Sequence, residues 1–265
     1  WNQLIKRDWP PETMESMRYI ANTGGAMPTA TLKTLRERLP KTKVFLMYGL
    51  TEAFRSTYLP PDEVDRRPTS IGKAIPDAEI LVVREDGTLC EPGEPGELIH
   101  RGALVSMGYW NDPERSAERF RPAPNQLGEL PFEEIAVWSG DTVVADEAGY
   151  LYFVGRKDDM IKSSGYRISP AEVEEVVFST GLVSDCAALG IPHAELGQAL
   201  VIVAHGREPG DKSAEAIIMA CKKALPNFMV PARVLWQESL PRNPNGKIDR
   251  KKLATEFSDL FQSDN

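Results

Sequence analysis

The sequence predicts an α/β unit that gives way to a β-rich segment and ends in a compact α+β unit. Three observations carry this: a strand, turn, helix and strand in succession over residues 19–48, short strands punctuated by turn residues from about Ser70 to Val154, and a capped helix start after Gly155. With 42% hydrophobic and 26% charged residues, the 265-residue chain has the composition of an ordinary globular protein, long enough for two cores.

In the first unit Tyr19–Thr23 is strand-like, Gly24-Gly25-Ala26-Met27 forms a tight turn, and Pro28 suits a helix start. Leu32, Leu35 and Leu39 recur at helical spacing, and Lys43–Met47 follows as an apolar strand ending at Tyr48-Gly49. This is a βαβ unit, and ligands in such sheets gather outside the carboxyl ends of the strands, where both Gly24-Gly25-Ala26 and Gly49-Leu50-Thr51-Glu52 fall. From Ser70 the turns Glu85-Asp86-Gly87 and Asp146–Gly149 separate short strands, and Glu91–Gly96 and Arg121–Pro131 read as surface loops. Ser169-Pro170-Ala171-Glu172 has capping-box form, with Ser169 at the N-cap and Glu172 three residues on, ahead of Val173, Val176 and Val177. Strands over Ser184–Ile191 and Leu200–Ala204 then lead to a helix with Ala216, Ile217, Ala220 and Leu225 on one face, and residues 262–265 are expected to fray. The division expected is residues 1–154 and 155–265.

A formal charge of -8 argues against broad nucleic-acid binding, which needs a basic face, so any polyanion must be met by local cations. The cysteines Cys90, Cys186 and Cys221 suggest neither a disulfide framework nor a zinc site, which fits a reducing cytoplasm. The longest apolar runs, such as Ala199–Ala204, fall short of the ~20 residues of a membrane span. Trp1–Asp8 lacks an initiator Met and a signal-peptide pattern, so the chain is expected to begin in mid-protein, with self-association through an uncovered apolar face a further expectation.

Four groups of residues carry chemistry. In Tyr48-Gly49-Leu50-Thr51-Glu52, Tyr48 offers a stacking face, Gly49 permits close backbone approach, Thr51 offers a hydroxyl to a phosphate oxygen, and Glu52 is an acid for magnesium shared with phosphates. Asp141 has two acceptor oxygens for the hydroxyls of a ribose. Arg156 and Asp158 flank a pivot, Arg156 facing ribose or phosphate and Asp158 changing partners. Lys247, on the turn Asn243–Lys247, would neutralise charge developing between an attacking carboxylate and an α-phosphate. Each motif alone also reads as an ordinary turn or solvated loop; their order along the chain favours the chemical reading. Trp110, Phe120 and Trp138 read as core, the histidines as strand or loop residues, Arg250-Lys251-Lys252 as a solvated helix face, and Glu133-Glu134 as solvated.

The run from Gly155 to Glu174, matching at Gly155, Arg156, Asp158, Lys162, Gly165, Arg167, Glu172 and Glu174, resembles the hinge motif of the adenylate-forming (AMP-binding) superfamily of AMP-forming acyl-CoA synthetases, luciferases and adenylation domains. Essentially the whole chain resembles the C-terminal portion of such an enzyme, Gly96-Glu97-Leu98, Gly108-Tyr109-Trp110 and Pro113-Glu114 included, with Ser139 in place of the family's Thr before Gly140-Asp141. The resemblance implies the end of a large N-terminal domain followed by a mobile C-terminal domain with its hinge near Asp158. It implies ATP or AMP, Mg²⁺ and CoA as cofactors and a small-molecule carboxylate, a fatty or other acyl acid, as substrate. Gly24, Gly25, Ala26, Tyr48, Gly49, Leu50 and Thr51 would line the AMP site, Glu52 would hold magnesium, and Asp141 and Arg156 would contact ribose. Lys247 would serve adenylation, Lys162 would meet the nucleotide in a second conformation, and Ser164 and Gly165 would border a pantetheine channel. The family's Ser/Thr/Gly-rich phosphate loop and most of its acyl pocket would lie before Trp1, so this polypeptide alone is expected to adenylate poorly. The stretch Ser163–Glu172 looks closest to the CoA branch, with an adenylation domain loading a carrier protein and a non-catalytic nucleotide- or partner-binding remnant as the alternatives.

Overall fold

The computed structural model describes residues 1, 4–124, 133–244 and 246–261. The loop expected over 125–131, the turn residue Asn245 and the frayed tail 262–265 lie outside the described residues. The chain divides into two units, one made of residues 7–27 and 32–158 and the other of 159–265 with 1–6 and 28–31.

In chain order the larger unit carries α1 (Pro11–Ser16), β1 (Tyr19–Asn22), α2 (Thr29–Arg38, in this unit from Leu32), β2 (Lys43–Tyr48), β3 (Thr57–Leu59), β4 (Ser70–Ala74), β5 (Ala78–Val83), β6 (Pro95–Gly102), α3 (Pro113–Arg119), β7 (Phe120–Pro122), β8 (Ile135–Ala145) and β9 (Leu151–Arg156). The strands form one nine-stranded sheet in the order β1-β2-β3-β4-β9-β8-β6-β5, with β7 on β8. β1 and β2 pair in parallel, from Tyr19 opposite Lys43 to Asn22 opposite Leu46, so the loops after both strands leave by the same edge. Ile20, Val44 and Leu46 alternate inward at the strand period of two, while Leu32, Leu35 and Leu39 are buried at helical spacing. Leu39 stands one residue past the helix, its N–H still bonded to the Leu35 carbonyl. Arg121 and Pro122, expected in a loop, pair with β8 instead.

The second unit carries β10 (Ile161–Ser163), β11 (Tyr166–Ile168), α4 (Pro170–Ser179), β12 (Asp185–His193), β13 (Gly197–His205), α5 (Asp211–Ala224), β14 (Arg233–Trp236) and α6 (Arg250–Glu256). Its five-stranded sheet runs β11-β10-β13-β12, with β14 parallel to β13. Both faces of this sheet are covered, which explains the unbroken apolar run of β13. On one face Leu200, Ile202 and Ala204 meet Val173 and Val177 of α4 and Ile217 and Cys221 of α5; on the other, Val201 and Val203 meet Leu253 of α6. The buried face of α5 therefore runs through Ile217 and Cys221, and Leu225 caps the helix from outside it. Ser169 caps α4 as expected, its Oγ accepting the Glu172 N–H at 3.3 Å with Pro170 in the first turn. None of the described helices is long and apolar enough to cross a membrane.

Ser169→Ala removes that cap and should cost about 1 kcal/mol, whereas Ile202→Ala empties the fully buried centre of β13 and should cost about 2–5 kcal/mol. Urea denaturation followed by far-ultraviolet circular dichroism checks both sizes and their order.

Candidate functional site

The loop after β2 is closed by its own backbone. The Leu50 N–H bonds the Ala53 carbonyl at 3.2 Å and the Ser56 N–H bonds the Tyr48 carbonyl at 3.0 Å. A Cβ at Gly49 would stand 2.8 Å from the Arg55 nitrogen, so glycine is required there by the returning chain. Thr51 at the tip is exposed and Glu52 half-buried. At the same edge, after β1, Gly24, Gly25 and Ala26 are exposed, with open space where a side chain on either glycine would go, and the Asn22 amide ties the turn to the Gly25 carbonyl at 2.8 Å.

Tyr48 ends β2 and its phenol donates to Asp141 Oδ2 at 2.5 Å. Asp141 lies on β8 directly opposite Arg156 on β9, and the Arg156 Nε stands 3.2 Å from Asp141 Oδ1. Sequence reasoning gave these three residues separate roles; the structure joins them. Asp141 is 6% exposed, its N–H held at 3.0 Å by Ser139 Oγ, which itself donates to the Leu98 carbonyl at 2.6 Å. The serine at the family's threonine position thus retains a hydroxyl that braces the aspartate. Burial, and then the nearby Asp141 charge, hold the Tyr48 phenol well above its ordinary pKa, so it stays a donor. The Arg156 side chain is 47% exposed.

Glu52 is fixed from the segment 105–109. Its carbonyl accepts the Ser106 N–H at 2.9 Å, Ala53 bridges Val105, and its carboxylate accepts the Tyr109 hydroxyl. Burial and then that hydrogen bond push the Tyr109 phenol up to about 12. The Tyr109 ring meets Phe120 edge-on at 5.8 Å and lies under the Arg115 guanidinium at 4.6 Å. No cluster of three or more metal-ligating side chains exists among the described residues. One oriented carboxylate fits Mg²⁺ shared with phosphates and water, the usual way this ion is held, and does not fit a protein-only cage.

Asp158 is exposed on the turn after β9. In the second unit, Lys162 is exposed on β10, which turns through Ser164 (φ 49°) and Gly165 (φ 82°) into β11; both tip residues are exposed and a Cβ on Gly165 would meet nothing. Lys247 is exposed at a turn in which the Asn243 N–H bonds the Lys247 carbonyl at 2.8 Å.

Sequence reasoning missed Tyr109 as the partner of Glu52, although Gly108-Tyr109 stood among the quoted motifs; nothing in the spacing pairs residues 57 apart. Three readings are corrected. Trp110 is not core: it is 98% exposed, because Asn111 (φ 51°) and Asp112 turn the chain outward to start α3. Arg250 is not merely solvated, since it pairs with Glu174, a carboxylate only 13% exposed. Glu134 likewise pairs with Arg101, at 3.5 Å.

The model of the AMP-binding enzyme family matches residues 1–110, and that of the AMP-binding enzyme C-terminal domain matches residues 172–247. The chain is 34% identical over 240 residues to a long-chain-fatty-acid–CoA ligase of Escherichia coli O157:H7, covering 89% of this chain and 40% of the relative. It is 31% identical over 263 residues to a D-alanine–D-alanyl carrier protein ligase of Bacillus cytotoxicus, covering 96% and 50%. The solved O-succinylbenzoate coenzyme A synthetase of Bacillus subtilis, in complex with ATP and magnesium ion, superposes with a TM-score of 0.79 at 29% identity, covering 95% of this chain and 49% of that one. The chain thus spans about half the length, or less, of the relatives it matches.

The Tyr109 contact has a pH signature. A phenol whose folded pKa is raised stabilises the fold fully below its unfolded value near 10 and loses that contribution as pH rises to about 12. Alkaline unfolding of Tyr109→Phe should therefore differ from the parent most below pH ~10 and converge with it toward pH ~12. A constant difference across that range would show that Tyr109 does not titrate against Glu52.

Proposed function

We propose that this chain, which belongs to the AMP-binding enzyme family of adenylate-forming ligases, supplies the adenylate-binding edge and the C-terminal domain of an AMP-forming acyl-CoA ligase. The observation that carries the reading is the Tyr48–Asp141–Arg156 constellation beside the Glu52 loop, at the carboxyl edge of a parallel strand pair. Such an edge is where α/β sheets take nucleotides.

In this reading a carboxylate oxygen attacks the α-phosphorus of ATP, the α–β bridging bond breaks, and acyl-adenylate and pyrophosphate form. A CoA thiolate then attacks the acyl carbonyl and AMP leaves. Gly24, Gly25, Ala26, Gly49 and Leu50 line the nucleotide, Tyr48 gives its ring face, and Thr51 donates its hydroxyl to a phosphate oxygen. Asp141 accepts from the ribose as Arg156 swings to the sugar or phosphate side. Glu52 would hold magnesium, whose charge offsets that of the phosphates. Lys247 balances the charge that builds between carboxylate and α-phosphate in the first step. Asp158 is the pivot about which the C-terminal domain turns for the second step, bringing Lys162 to the nucleotide and the Ser164–Gly165 tip beside the pantetheine arm.

CoA is the acceptor favoured by the Ser163–Glu172 stretch. A carrier-protein acceptor is the second reading, supported by the similarity to the D-alanine–D-alanyl carrier protein ligase.

Pyrophosphate release by the complete enzyme, measured with ATP, Mg²⁺ and a carboxylate panel, should lead to thioester only when CoA is present. Lys247→Ala should slow adenylation ~10²–10³-fold. Release without thioester would move the acceptor to a carrier protein, and no release with any acid would leave a nucleotide-binding remnant.

A further inference from the structure

Lys247 stands on a turn whose two feet are each tied down by an arginine, one to strand β12 and the other to helix α4. Before the turn, Arg242 bridges Ile248 across it; its Nη1 donates to the Gly246 carbonyl at 2.9 Å, and its Nη2 pairs with Asp185, the first residue of β12. After the turn, Arg250 opens α6, capped by Asp249, and its Nη2 pairs with Glu174 of α4. The same Glu174 oxygen accepts the Ala188 N–H of β12 at 2.8 Å. The turn itself is cross-linked: the Lys247 N–H bonds Asn243 Oδ1 at 3.1 Å, and the Asp249 N–H bonds the Pro241 carbonyl at 2.8 Å.

Both acids are largely buried, with side chains 21% exposed at Asp185 and 13% at Glu174, in the unit that carries the exposed lysine. Ion pairs between exposed side chains add little and fix little. Glu174 is the more buried acid, so losing Arg250, itself 32% exposed, would leave its charge poorly compensated, whereas Arg242 is 49% exposed and holds Asp185 from the surface. Nothing about an exposed lysine requires two such anchors merely to keep a short turn folded.

We propose that Arg242 and Arg250, clamped by Asp185 and Glu174, are positioning residues that fix the placement of Lys247 for adenylation. This rests on the assignment of Lys247 to the first half-reaction. A displacement of ~1 Å at a catalytic group costs on the order of 10²-fold in rate, so loosening one foot should be felt at the lysine even when the unit stays folded.

The test is a double-mutant cycle in the complete enzyme. Arg242→Gln is the main variant, because Asp185 keeps some access to water when its partner is lost; Arg250→Gln is the second, accompanied by its melting temperature. Arg242→Gln should lower kcat for pyrophosphate release ~10–100-fold with KM for ATP within about twofold. Thioester formation from supplied acyl-adenylate and CoA should stay within about twofold of the parent, and Arg242→Gln should add no loss on top of Lys247→Ala. Arg242→Lys, retaining the charge, should recover part of the rate. Equal losses in both half-reactions, losses that multiply with those of Lys247→Ala, or an unchanged Arg242→Gln would overturn the positioning role. An unaffected adenylation rate in Lys247→Ala alone would instead remove the underlying assignment, and the two failures are told apart by that single variant.

Discussion

An ionised carboxylate taken out of water has to be met by donors, and each unit of this chain is organised around one. Leaving such a group unmatched costs several kcal/mol. In the larger unit the group is Asp141, whose carboxylate is met by the Tyr48 phenol and the Arg156 guanidinium. In the second unit it is Glu174, met by Arg250 and the Ala188 N–H, with burial still raising its pKa against the pull of the arginine. Both requirements bind residues far apart in sequence, so satisfying the charge also closes the fold.

For Asp141 the closure has a geometric consequence. Tyr48 ends β2 and Asp141 lies on β8, with β3, β4 and β9 between them in the sheet order. A flat sheet would hold strands that far apart beyond hydrogen-bond reach at ~4.8 Å per strand. The contact therefore requires the sheet to coil, as twisted sheets do, and the register shifts on β4 and between β8 and β9 sit where the bending is needed. Leu98, Val143 and Leu151 pack with Tyr48 and Phe153 in one apolar cluster. Packing, charge and the direction in which Tyr48 points have a common cause.

How much of this the sequence carried depends on range. The βαβ unit, the capped α4 and the apolar β12 and β13 were legible because their signals are periodic or confined to a few residues. Tyr48, Glu52 and Asp141 were legible as chemical candidates because short motifs flag them. What was not legible was partnership. Arg250 read as one of three solvated cations because local pattern cannot show that Glu174, 76 residues earlier, is buried beside it. Trp110 read as core because aromatic residues usually are, while the left-handed backbone at Asn111 that turns it outward has no signal that outweighs that expectation. The glycine at position 49 reads as permitting close backbone approach, and in the structure the returning backbone of Arg55 makes such an approach.

The charge balance gives these local partnerships their weight. With a formal charge of -8, these 265 residues taken together do not draw a polyanion toward them, and the field of an exposed lysine is screened within ~8 Å at physiological salt. A cation on a surface turn can then influence an anion only at close range, where Coulomb energy changes steeply with distance. The useful property of Lys247 is thus where its turn holds it more than the charge it carries. A turn of this length owes its shape to what grips its ends. The two arginines tie the ends of that turn to Asp185 and Glu174.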